Sequence, residues 1–171
     1  MRNVTPDTLA VHNSEVAIIT HALAVIGNKY YGRHYDCGRA VLLALYHDAP
    51  EIMTGDLPSP VKYWSPSIRD AYREVEAHST ERLLSLLPEA LRPAFERQLR
   101  PPDAGVRELV HAADKLSAYL KSAQEIRAGN TEFGSAAGQL FQKLKELDMK
   151  EVDYFLTNFY PSFTLTLDEL K

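Results

Sequence analysis

Apolar positions recur at helical spacing along almost the whole chain. In the stretch SEVAIITHALAVIG, Val16, Ile19, Leu23 and Ile26 fall on one face, and Gly27 reads as a stop signal. Asp36 is placed to cap a second helix, CGRAVLLALYHDAPEIM, that ends before Gly55. That helix is apolar on more than one face, which predicts a central, buried position. The next stretch, GDLPSPVKYWSP, holds three prolines and a glycine and predicts a loop. Ser65 and Pro66 predict the N-cap and first position of a long helix reaching about residue 87, with Arg69, Arg73, Glu74 and Glu81 on its exposed face. Pro88 and Pro93 break up a short segment. Asp103 is placed to cap the next long helix, AGVRELVHAADKLSAYLKSAQEI, which stops near Gly129-Asn130. A further helix or pair follows to Tyr160, and a tail begins at Pro161. Only SFTLTL in that tail alternates with period two, and no repeat or interdomain linker interrupts the pattern. The expected fold class is all-α, a helical bundle in a single domain over residues 1–171.

Composition narrows the functional classes. The chain of 171 residues is 45% apolar and 25% charged, as expected of a globular domain with a sizeable core. A formal net charge of -4 gives no reason to expect a nucleic-acid partner. An anionic substrate would need local positive charge, such as a metal ion. The single cysteine, Cys37, excludes an internal disulfide and points to a reducing compartment. The opening MRNVTPDTLAVH lacks the apolar core of a signal peptide, and the strongest apolar run, AVLLALY, is too short to span a bilayer. A cytoplasmic protein with no membrane partner is the expectation. HExxH, CxxC, P-loop and GxSxG motifs are absent from the sequence, leaving zinc-peptidase, redox, NTPase and serine-hydrolase readings without a basis.

The chemistry concentrates where the second helix runs into LLALYHDAPEIMTGD. Residues three and four apart share a helix face, so Glu51 is expected beside both His47 and Asp48. Buried carboxylates are costly unless paired or metal-bound, and imidazole with carboxylate suits Mn, Fe, Co, Ni or Zn. Two other helices offer further ligands. His12 is expected just before the first helix, and Asp114 lies within ELVHAADKLSAYL with Val110 and Ser117 on its own face. Taken singly, each of these residues is more often a cap, a surface group or a satisfied core group. Together they read His12, His47-Asp48, Asp114. His21 is expected in the core or behind a ligand rather than as a ligand itself, His78 and His111 on helix surfaces or in packing, and His34 in a loop. Tyr63 and Trp64 read as loop-packing aromatics or stacking platforms for a base. Cys37 reads as packing, and Tyr30, Tyr31, Tyr154, Phe155, Phe159 and Tyr160 as core or dimer contacts.

The H…HD…D pattern resembles the HD-domain metal-dependent phosphohydrolases. A fuller likeness is to the bacterial 5'-deoxynucleotidases of the YfbR type. It rests on MRNV, VAIITHALA, the run from Ala40 to Tyr63, AADKLSAYLK, AGNTEF and DYFLTNFYPSFTLTLDE, and covers nearly the whole chain. The resemblance implies an all-α HD domain, usually a homodimer, that removes phosphate from deoxyribonucleoside 5'-monophosphates. It implies a divalent cofactor, cobalt or manganese first, with zinc, nickel, iron or magnesium as alternatives. Carried over by residue, the metal ligands are His12, His47, Asp48 and Asp114, the catalytic glutamate is Glu51, and Asp56 of TGDLP belongs to the substrate pocket near the sugar. Family members carry a segment before the equivalent of Met1 with a substrate-contacting Arg-Trp pair, and that segment is expected to be absent from this domain. Where the family has a polar pair before its first ligand histidine, this chain has Ala10-Val11, so an acceptor orienting His12 is expected to be missing.

A metal ion activates water, so Glu51 is better used as the general acid/base than as a ligand. Lys62, in the loop after the site, is the expected phosphate contact. Lys115 is a weaker one, expected in solvent, and Arg2 could stand in for part of the Arg-Trp function. Two other readings stay open. One is another HD phosphohydrolase or phosphodiesterase, acting on cyclic nucleotides, alarmones or triphosphates. The other is a helical module that binds metal or nucleotide without turnover.

Overall fold

The structure, a computed structural model, describes residues 3–4, 8–57, 59–62 and 64–169. Arg2 and Tyr63, both weighed above, lie outside the described residues. In chain order the helices are α1 (Leu9–Tyr30), α2 (Cys37–Tyr46), α3 (Glu51–Thr54), α4 (Ser59–Lys62), α5 (Pro66–Ser85), α6 (Arg92–Leu99), α7 (Ala104–Arg127), α8 (Gly134–Glu146) and α9 (Lys150–Asn158). Among the described residues there is no strand, and SFTLTL, the one candidate, contributes to two short 3-10 turns instead. The chain forms two compact units. One joins Met1–Leu45 to Asp103–Lys171, and the other is Tyr46–Pro102.

In the first unit, α7 packs against α1 and α8, and α1 also packs against α9. The apolar stripe of α1 (Val16, Ile19, Leu23, Ile26) meets that of α7 (Val106, Leu109, Leu116, Leu120), with Ala40, Leu43 and Ala44 of α2 and Val152 and Phe155 of α9 completing the core. Among the described residues, α1 alone is long and apolar enough to cross a membrane, a property the short AVLLALY run did not reveal. Here that apolar side is the core of the unit. The same register turns Ile18, His21 and Val25 to solvent, so His21 is exposed rather than buried as expected. On α2, Leu42 and Leu45 are likewise exposed, so the helix is buried on one face and not centrally.

Local signals account for the helix ends. Thr8 caps α1 by accepting from the Val11 N–H, Asp36 caps α2 through the Arg39 N–H, and Asp103 caps α7 through the Val106 N–H; such caps contribute about 1 kcal/mol each. Gly27 does not stop α1, which continues to Tyr30. It is small because the 31–35 loop presses on it: a Cβ there would lie 2.7 Å from Cε2 of Tyr35 and 3.0 Å from Oε1 of Glu151. Glu151 is fully buried and is held by Arg33 Nε at 3.0 Å and the Tyr35 hydroxyl at 3.4 Å. A second buried carboxylate, Glu125, receives the backbone N–H of Val4 and the side-chain amide of Asn130, both at 2.8 Å on Oε2. Tyr30 stacks on Tyr154 and Phe155 on Phe159, but of these four only Phe155 is a buried core residue, while Tyr30 and Phe159 are exposed. Cys37, half-buried at the start of α2, packs against this core.

In the second unit α5 is the backbone onto which α3, α4 and α6 pack. Ser65 caps it by accepting from the Ile68 N–H, with Pro66 at the first turn, as the sequence predicts. Trp64 does not pack: it is 78% exposed.

Candidate active site

The first unit supplies one imidazole–carboxylate pair. His12 lies in the first turn of α1, not before it, because Thr8 starts the helix four residues earlier. Its Nε2 is 3.3 Å from Oδ1 of Asp114 in the middle of α7. One turn along both helices, Ser117 donates to Glu15 at 3.3 Å, so the α1–α7 register is fixed by two polar contacts in series. Next to His12, the buried Asn13 donates to the carbonyl of Leu45 near the end of α2, at 3.4 Å. Lys115 is half-buried rather than solvated, and burial lowers its pKa from the ordinary value.

The second unit supplies the other pair. The helix expected to run on through Glu51 ends at Tyr46 and restarts at Glu51. Pro50 is the reason: it has no N–H to give, and its ring would meet the Tyr46 carbonyl in a continuous helix. Residues 47–50 therefore form a turn, closed by Ala49 N–H to Tyr46 O at 3.1 Å and Glu51 N–H to Asp48 O at 2.9 Å. The single-face argument for Glu51 fails, yet the turn still carries Glu51 onto Asp48. His47 Nε2 sits 3.1 Å from Asp48 Oδ2.

Glu51, half-buried, has its carboxyl pushed up from 4.5 to about 7, first by burial, then by the charges of Asp48 and Asp56. Lys62 opposes that rise and Glu76 adds to it. Asp56 is exposed and follows Gly55, whose φ of 69° suits glycine and shapes the turn. The Tyr72 hydroxyl donates to the Gly55 carbonyl at 3.2 Å. Lys62 Nζ is 2.7 Å from Glu76 Oε1 and 4.4 Å from the centre of the Tyr72 ring.

Both pairs fit a metal. Two ligand atoms about 2.1 Å from one ion and at right angles to each other stand about 3.0 Å apart, close to the 3.3 Å and 3.1 Å separations of the two pairs. An imidazole nitrogen facing a carboxylate oxygen is the donor set of a divalent transition ion.

A family model of YfbR-like 5'-deoxynucleotidases matches residues 1–163. The chain belongs to that family. The 5'-deoxynucleotidases of Vibrio vulnificus and Vibrio cholerae are 43% and 44% identical to it over 173 residues, covering 100% of this chain and 89% of each relative. The crystal structure of an HD-domain phosphohydrolase from Listeria innocua matches with a TM-score of 0.83 at 24% identity, over 95% of this chain and 79% of that one. A Pyrococcus horikoshii protein matches with a TM-score of 0.65, also at 24% identity, over 93% and 83%. The fold is the all-α helical bundle of the HD domain.

Within this YfbR-like chain, sequence reasoning passed over Tyr72 and Glu76. A signal was there: Tyr72, Glu76, Ser79 and Leu83 fall at helical spacing on the shielded side of α5, opposite the exposed Glu74 and Glu81, and Arg69, expected on the exposed face, is half-buried at its edge. A shielded helix face made mostly of polar residues marks groups with partners.

Proposed function

We propose that this protein is a 5'-deoxynucleotidase, hydrolysing deoxyribonucleoside 5'-monophosphates to nucleoside and phosphate with a divalent metal ion. The observation that carries this reading is the similarity along the whole chain to relatives named 5'-deoxynucleotidase. Residues 1–171 act as one HD domain, and His12, His47, Asp48 and Asp114 hold one ion between them. Imidazole with carboxylate suits a divalent transition ion, and the family resemblance puts cobalt or manganese first, with zinc, nickel, iron and magnesium as further candidates. When bound, the ion supplies Lewis acidity toward a phosphoryl oxygen and toward water.

The chain's own residues do the rest. Glu51, its carboxyl raised to about 7 by burial and by Asp48 and Asp56, can hold or release a proton near neutral pH, and it gives one to the departing 5' oxygen and takes back the one shed by the attacking water. Lys62 meets the phosphate, and Asp56 faces the sugar. The chain's net charge of -4 favours a small-molecule substrate over nucleic acid. Val11, Ile18 and Val25, exposed at seven-residue intervals along α1, support a second copy of the chain as partner in a homodimer. The lone Cys37 supports a reducing, cytoplasmic setting.

The test is phosphate release from dAMP, AMP, cyclic AMP and dATP with added cobalt or manganese, beside metal analysis of the purified protein. Fastest turnover of dAMP is expected. Faster turnover of the cyclic or triphosphate nucleotide would assign another HD activity, and bound metal without turnover would make the chain a non-catalytic module. Glu51→Ala should retain metal and lose most turnover, while Asp48→Ala should lose the metal. A Glu51→Ala variant with near wild-type rates at saturating substrate would remove Glu51 from the mechanism.

A further inference from the structure

Tyr72 and Glu76 stand one turn apart on α5, so both side chains address the same ground. A lysine at the end of a one-turn helix ordinarily samples many rotamers. Lys62 does not, because its ammonium is gripped between the Glu76 carboxylate at 2.7 Å and the face of the Tyr72 ring at 4.4 Å. Partly exposed pairs of this kind add little net stability, so what the grip provides is geometry. Tyr72 has a second task. Gly55, at φ 69°, opens the turn that leads to the exposed Asp56, and the Tyr72 hydroxyl is the group that ties the Gly55 carbonyl down, at 3.2 Å. Without Glu76, the ammonium has other carboxylates to choose from: Asp56 and Glu51 belong to the same electrostatic cluster.

We propose that Tyr72 and Glu76 are positioning residues for the nucleotide, Glu76 setting the Lys62 ammonium for phosphate and Tyr72 setting the Gly55-Asp56 turn for the deoxyribose. This rests on the 5'-deoxynucleotidase reading and deepens it: one face of α5 spaces the two recognition groups, so phosphate and sugar are read at a fixed separation.

The experiment compares wild type with Glu76→Gln, Tyr72→Phe, Lys62→Met and the pairings of Lys62→Met with each of the other two. The assay is dAMP and AMP hydrolysis at saturating cobalt, with cobalt content and thermal melting recorded for each variant. Glu76→Gln is expected to raise KM for dAMP about fivefold with kcat within about twofold, and to add nothing in the Lys62→Met background, because it acts through that lysine. Tyr72→Phe keeps the ring and loses the hydroxyl. It is expected to lower the preference for dAMP over AMP about threefold, and to do so equally in the Lys62→Met background. Cobalt content and melting temperature should stay at wild-type values. Additive losses from Glu76→Gln and Lys62→Met, a fall in kcat at unchanged KM, or an unchanged sugar preference in Tyr72→Phe would each overturn the proposal. Wild-type protein that releases no phosphate from any mononucleotide overturns the 5'-deoxynucleotidase reading and this inference with it. Active wild type with kinetically silent variants overturns the inference alone.

Discussion

Replacing Glu51 with glutamine should make the metal-free protein more stable, and only above mildly acidic pH. In the fold the Glu51 carboxyl is pushed up from 4.5 to about 7. Between those values the native state holds a proton that the unfolded chain has released, so wild-type stability falls as pH rises through this interval and levels off above it. At about 1.4 kcal/mol per pKa unit, that displacement sets a ceiling of about 3 kcal/mol on the penalty. Glu51 is only half-buried, and solvent screening brings the expected gain for Glu51→Gln down to about 1–2 kcal/mol. A domain of this size gains about 2–4 °C in melting temperature per kcal/mol. Urea titrations of both proteins in chelator, at several pH values from about 4.5 to about 8, would measure the difference directly. The two curves should coincide at the acid end and part steadily until they run parallel above neutrality. A difference that does not vary with pH, or a glutamine variant that is the weaker protein at pH 8, would refute the burial argument for Glu51.

Three other outcomes follow from the packing and the donor set. Gly27→Ala should cost about 1–3 kcal/mol in chemical denaturation, because its methyl would enter the space of Tyr35 and Glu151. Leu116→Ala, at a fully buried position of α7, should cost about 2–5 kcal/mol by the same measurement. Asp114→Asn should leave helix content by circular dichroism unchanged and weaken cobalt binding by about tenfold or more in a calorimetric titration; equal affinity would remove Asp114 from the ligand set.

Helix starts were readable because their signals are local. Asp36, Ser65-Pro66 and Asp103 each cap through a side chain acting on an amide three residues ahead. The apolar faces of α1 and α7 were readable from spacing. What escaped depends on residues far apart in the chain. Gly27 carries the local signature of a helix stop, and its reason for being small lies in Tyr35 and in Glu151 beyond α8. The break after Tyr46 could have been read from Pro50, but the apolar run through residues 40–46 masks it. For the candidate site, the residue types and the motif pointed to His12, His47, Asp48, Asp114 and Glu51. Helical spacing puts Glu76, alone of the glutamates on α5, on the shielded face, but it does not say that Lys62 is what it meets there.

The hold of Glu125 on the start of the chain is made through the amide of Val4, not its side chain, which is largely exposed. Recognition through the main chain is blind to residue type. Position 4 should therefore accept nearly any side chain while refusing proline, the one residue with no hydrogen to give. A single acid near the far end of α7 thus holds position 4 by its backbone, whatever side chain stands there.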